Sequence, residues 1–118
     1  MRDKLNPKTE LKFVNWYYQN YKNDIKFYDL SFEFQLGVFL KFITENGFSI
    51  AIQPEYYTTG INFNYQIFWY TNKLIIEESI NDLSFYDGTS MYGDNGEFSS
   101  LDLCYKQAII HSFNLIEI

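Results

Sequence analysis

The chain has 118 residues, 47% of them hydrophobic and 21% aromatic, and a formal net charge of −6. That length suits one domain with one core, and the apolar content excludes a wholly disordered chain. The negative balance disfavours non-specific nucleic-acid binding by the molecule as a whole and favours basic surfaces as partners.

In chain order, residues 1–8 read as a flexible leader, since Pro7 biases Asn6 away from helix. A first helix follows, with Thr9 as its cap and Leu11, Val14, Tyr18 and Tyr21 on one face. The strongest helix starts at Ser31 and repeats Phe32, Leu36, Phe39, Leu40 and Ile43 along one stripe. Phe34, Val38 and Phe42 make its other faces apolar too, and Asn46-Gly47 closes it with a left-handed glycine cap.

Phe48, Ile50 and Ile52 then alternate with Ser49, Ala51 and Gln53, the pattern of a half-buried strand, with Pro54 suited to a bulge or an edge. Thr58-Thr59-Gly60 turns the chain into a second strand with Ile61, Phe63, Tyr65, Ile67 and Trp69 on one face. A third strand is expected in NKLIIEES, residues 72–79, and a short further one around Leu83 to Tyr86. Glycines and an Asp-Asn-Gly turn make 87–96 a loop. The last helix opens at Ser99, with capping-box spacing to Asp102, and lines up Leu101, Cys104, Tyr105, Ala108, Ser112 and Leu115.

The expected fold is one α+β domain over 1–118: an antiparallel three- to four-stranded sheet packed on helices, in the order α-α-β-β-β-α. Its expected core holds Leu36, Phe39, Leu40, Ile43, Ile50, Ile52, Phe63, Ile67, Cys104 and Ala108. No apolar run approaches the roughly 20 residues of a spanning helix, and the start MRDKLNPKTE lacks a signal-peptide apolar region. A single Cys allows no internal disulfide. A soluble cytoplasmic protein with no membrane partner is expected.

No catalytic motif stands out, and the expectation is a non-enzyme without metal or cofactor. Cys104 and His111 are seven positions apart on one helix, about 10 Å along its axis, too far for one tetrahedral metal. Cys104 on an apolar face reads as a structural thiol, and His111 as a partly exposed helix residue without an orienting partner. Asp87, Asp94, Asn95 and Glu97 lack the spacing of an EF-hand loop. Nothing selects a carboxylate pair for glycoside hydrolysis.

Two segments carry a partner signal. Lys12, Trp16, Tyr17, Tyr21 and Lys22 interleave cations with aromatics, the pattern of single-strand binding, and give the alternative of an RNA-binding accessory module. Glu77 to Asp102 holds seven acids and no Lys, Arg or His. Such a run is commonly a solvated loop. Here Phe85, Tyr86, Tyr92 and Phe98 lie among the acids, so charge for steering and aromatics for anchoring occur together. The expected partner-binding residues are Glu77, Glu78, Asp82, Phe85, Tyr86, Asp87, Tyr92, Asp94 and Glu97.

The capped helix ending FLKFITENGFSIAIQP, the aromatic strands and the closing EFSSLDLCYKQAIIHSFNLIE resemble small orphan proteins of bacterial phages and mobile elements. The resemblance covers about Ser31 to Glu117 and rests on packing and capping residues. Small acidic proteins of such elements include anti-CRISPR inhibitors. What the resemblance implies is a viral protein in the host-cell cytoplasm. It would inhibit through protein–protein contact with a basic host protein, such as a CRISPR effector nuclease or its RNA complex.

Overall fold

A computed structural model describes residues 1–21, 26–70, 83–87 and 98–117, the last strand segment (83–87) and Tyr70 through their backbone alone. The fold is α+β. Among the described residues there are three α-helices: α1 spans Pro7–Asn20, α2 Phe32–Glu45 and α3 Leu101–Ile116. Helices α2 and α3 pack on an antiparallel sheet, while α1 packs on α2 and α3. Strands β1 (Phe48–Tyr57), β2 (Gly60–Tyr70) and β3 (Leu83–Asp87) lie in the spatial order β1-β2-β3. The expected strand at 72–79 falls outside the described residues.

Helix α1 begins earlier than its sequence suggests. Asn6, not Thr9, is the cap: its side-chain oxygen accepts from the backbone N–H groups of Lys8 at 3.0 Å and Thr9 at 3.3 Å. Pro7 fills the first helical position, where its missing N–H costs nothing and its fixed φ already fits. Thr9 is one turn inside and fully buried, and its hydroxyl donates to the Phe113 carbonyl at 2.8 Å, fastening α1 to α3. Within residues 1–8, Arg2–Lys4 form a single exposed 3₁₀ turn and Leu5 is buried in the core.

The inward face of α1 is Thr9, Phe13 and Tyr17, whereas Leu11 and Tyr18 point outward, 61% and 51% exposed. The helix has apolar residues on more than one stripe, so periodicity alone does not choose its rotation. Ring packing does. Phe13 meets the rings of Phe27, Phe39 and Phe42 at centroid distances of 4.7, 4.7 and 5.2 Å and that of Phe113 at 5.8 Å. No aliphatic side chain on α1 reaches as many partners of that size.

Helix α2 has Ser31 at its cap position, but the Ser31 side chain makes no capping bond. The chain entering α2 is held instead by Gln35, whose amide donates to the Leu30 carbonyl at 2.8 Å. Its buried residues are Phe39, Phe42 and Ile43, while Leu36 and Leu40 of the expected stripe are half-buried. Gly47 follows at φ 91°, the left-handed stop expected from Asn46-Gly47.

The hairpin pairs Phe48 with Trp69 at one end and Tyr57 with Gly60 at the other. Gly60 has φ 144°, and a Cβ there would meet nothing within 4 Å, so the turn needs glycine for its backbone and not for space. Pro54 causes no bulge, because the register runs through it opposite Phe63. Phe63 turns its N–H away from β1, toward Phe98. The pair is therefore not hydrogen-bonded across β1–β2, and proline's missing donor leaves the ladder intact.

Helix α3 is capped by Ser100, one residue later than expected: its hydroxyl accepts from the Leu103 N–H at 3.1 Å. Phe98 is still bonded to β2, which keeps Ser99 outside the helix. Helix α3 lies between two apolar clusters. Ile109, Ile110 and Phe113 join Leu5, Phe13, Tyr17, Phe27, Phe39, Phe42 and Ile43 in an aromatic inter-helix core. Cys104 and Ala108 pack on Tyr65 and Ile67 of β2, with Ile50, Ile52 and Phe63 half-buried around them.

Candidate functional site

Strand β3 lies inside the acid-rich segment and pairs antiparallel with β2: Leu83 opposite Tyr70 and Asp87 opposite Gln66. The chain rejoins β2 at Phe98, whose N–H and carbonyl exchange bonds of 2.7 and 2.8 Å with Phe63. Both ends of 88–97 are thus fixed to the same edge of β2, three positions apart. At the rise of an extended strand that is about 10 Å.

Of the expected partner-binding residues, Phe85, Tyr86 and Asp87 are placed on β3, opposite Phe68, Ile67 and Gln66. Glu77, Glu78, Asp82, Tyr92, Asp94 and Glu97 lie outside the described residues. Phe98, which the sequence offered only as one more aromatic of the segment, proves to be its anchor. The ring of Phe98 stacks on Tyr65 at 6.0 Å and 28°.

Of the expected RNA-binding set, Trp16, Tyr17 and Tyr21 pack ring to ring, Trp16 meeting Tyr21 at 5.9 Å. Tyr17 is 1% exposed and stacks at 5.1 Å on Tyr21. Trp16 leans on Phe42 at 5.4 Å and on Phe13 at 6.0 Å. Lys12 places its ammonium 2.9 Å from Glu117, and that bond holds the Glu117 carboxyl below its usual range. Lys22 lies outside the described residues. Arg2 is 3.4 Å from Glu10 and covers the Tyr28 ring at 4.3 Å. Tyr28 donates to Glu10 at 3.1 Å, and burial followed by that carboxylate raises its phenol well above the ordinary value. Trp16, Tyr17, Tyr21, Lys12 and Arg2 therefore have internal partners, and Tyr17 in particular is too buried to offer a face to a base.

Cys104 is fully buried, and burial pushes its thiol up to about 12, which leaves no thiolate near neutral pH. His111 departs from its expected exposure: it is 1% exposed and its Nδ1 is 3.1 Å from the Tyr65 hydroxyl. The alternation of β2 points Tyr65 inward, whereas the α3 stripe through Cys104, Ala108 and Ser112 leaves His111 one position outside it. Among the described residues no group of three His, Cys, Asp or Glu is placed to hold a metal, and no helix is long and apolar enough to cross a membrane. Comparison with protein-family models, with curated proteins and with solved structures gives no match to the chain.

Proposed function

We propose that the chain is a non-enzymatic, acidic binding protein of phage or mobile-element origin. It acts in the host cytoplasm by occupying the basic surface of a nucleic-acid-handling defence complex, an RNA-guided CRISPR nuclease in the form the resemblance implies. The observation that carries this reading is the run of seven acids without a cation between Glu77 and Asp102. Its middle leaves and rejoins one edge of β2 at Asp87 and Phe98. Carboxylates presented at close spacing mimic the field of a phosphate backbone, and aromatics among them supply the desolvated anchors that charge alone does not. In the same reading the sheet takes a further strand at 72–79, a fourth beside the three described.

The test is a capture followed by a competition. The chain is used to capture a basic nucleic-acid-binding protein from host extract. The purified captured protein is then given labelled DNA or guide RNA with and without the chain. The expected result is displacement of nucleic acid by the chain and no binding of free oligonucleotide by the chain itself. Capture without competition, or direct oligonucleotide binding with a steep salt dependence, overturns the reading and restores the RNA-binding alternative.

A further inference from the structure

We propose that the outer edge of β1 is a self-association surface, where a second copy of the chain adds its own β1 antiparallel and extends the sheet across a two-fold axis. Among the described residues the strand order is β1-β2-β3, so β1 is paired on one side only. The register shows which residues face the open side. Phe63 directs its N–H and carbonyl to Phe98, away from β1, so its pair with Pro54 is not hydrogen-bonded. Bonded and unbonded pairs alternate along an antiparallel ladder, so Phe48, Ile50 and Ile52 also turn their backbone groups away from β2. None of those N–H or carbonyl groups has a hydrogen-bond partner among the described residues. Proteins blunt such an edge with lysines, inward charges or bulges. Here no charge lies between Phe48 and Gln53, and the register runs unbroken to Tyr57. Phe48, Ile50 and Ile52 are only half-buried, which leaves apolar surface along the edge to cover.

The edge is complementary to itself. With the axis at Ile50, Phe48 of each copy faces Ile52 of the other and Ile50 faces its own counterpart, and each such pair exchanges two backbone bonds. The three apolar side chains then form one ladder across both copies on the helix-bearing face. Ser49 faces Ala51 of the second copy on the exposed face, small side chains at an unbonded pair, where strands bring side chains closest. Pro54, which has no N–H to offer this edge, falls beyond the paired stretch, because its counterpart is Asn46 at the C-cap of α2. A foreign strand would have to reproduce this pattern of donors, apolar side chains and small residues, whereas a second copy carries it by symmetry. Charge agrees: copies with a net charge of −6 repel through their charged regions, and this strip is neutral. Each β3 then lies at an outer end of the described strands, five strand spacings or about 24 Å from the other, so association leaves the acid-rich segment free. So short a strip buries less than the roughly 1,200 Å² of a standard stable interface, so the dimer is weak and depends on concentration.

The experiment is analytical ultracentrifugation of the parent and two double variants from about 5 to about 500 µM, the range for a weak interface, at low and high salt. The parent mass is expected to rise from 14.2 kDa toward twice that value with concentration. Salt should strengthen the association, because it screens the like net charge of the copies. Ser49→Lys with Ala51→Lys, both at exposed positions, sets like charges opposite each other and should weaken association about tenfold, although the net charge becomes smaller. Ser49→Lys with Ala51→Glu sets opposite charges across the same seam and should restore association to within about threefold of the parent. A parent that stays monomeric overturns the proposal, as does a Lys pair that associates like the parent or a charge swap that fails to restore the dimer. A dimer that weakens with salt also overturns it, since acids on a cationic region would then hold the copies together. If a variant does not fold, hydrogen exchange of the parent decides: the amides of Phe48, Ile50 and Ile52 should gain protection as concentration rises, and no gain overturns the proposal.

Discussion

The aromatic, cation-bearing region around α1 and the acid-rich segment around β3 look alike in sequence, each a dense mixture of rings and charged residues, and they differ in how their charges are compensated. In the first, the rings are core: Phe13 and Tyr17 are 0% and 1% exposed, and Lys12 and Arg2 meet Glu117 and Glu10. In the second, seven acids have no cation in their own segment, and the backbone is held to β2 on both sides of the loop at Asp87 and Phe98. The lesson is that composition does not mark a binding surface. The acids of 77–102 differ from the charges around α1 in having no cation within their own segment.

The largest effect expected is at the centre of the first region. Phe13→Ala removes the ring that contacts five others and should cost about 3–5 kcal/mol in denaturant unfolding. A loss below about 1 kcal/mol would mean that α1 is peripheral and its aromatics available for ligands. Leu40→Ala, at a half-buried position, should cost less than Phe39→Ala at a fully buried one. The reverse order would rotate α2. Thr9→Val keeps the volume and deletes the hydroxyl bond to the Phe113 carbonyl, and about 1 kcal/mol is expected. Smallest of all is Lys12→Met: the lysine side chain is 60% exposed, so the melting temperature should hardly move. A large drop there would show the ion pair to be a structural tie.

Alkaline pH gives a further check on burial. Unfolded Cys104 loses its proton near 9 whereas the native thiol keeps it to about 12, so stability should fall as pH rises between those values. Native protein should also resist thiol alkylation at about pH 8, and rapid labelling without unfolding would contradict the buried position.

The fold was legible where local chemistry and packing agree. Gly47 had to end α2, because an Asn-Gly pair after an apolar helix offers the left-handed stop directly. The alternation of Phe48, Ile50 and Ile52 against Ser49, Ala51 and Gln53 fixed the inward face of β1, and the structure leaves the second set exposed. It was less legible where two local solutions are nearly equal. Asn6 and Thr9 both suit a cap, and Pro7 decides between them; Ser99 and Ser100 both suit the next, and the Phe98 bond to β2 decides. The burial of His111 is not legible, because one histidine among apolar helix residues gives no sign of a partner 46 positions away. For the candidate site, sequence supplied the charge pattern, while the pinning of the loop at Phe98 required the sheet register.

The most direct measurement is the association rate of the chain with its captured, purified partner at low and high salt, beside the variant with Asp87, Asp94 and Glu97 all replaced by Lys. Those replacements should leave folding within about 0.5 kcal/mol per site. The variant is predicted to associate more slowly at low salt and to approach the parent as salt rises, because exposed charges more than a Debye length apart, about 8 Å at physiological ionic strength, are screened. Equal association by parent and variant at low salt would contradict an acidic interaction surface and leave residues 77–102 a solvated segment.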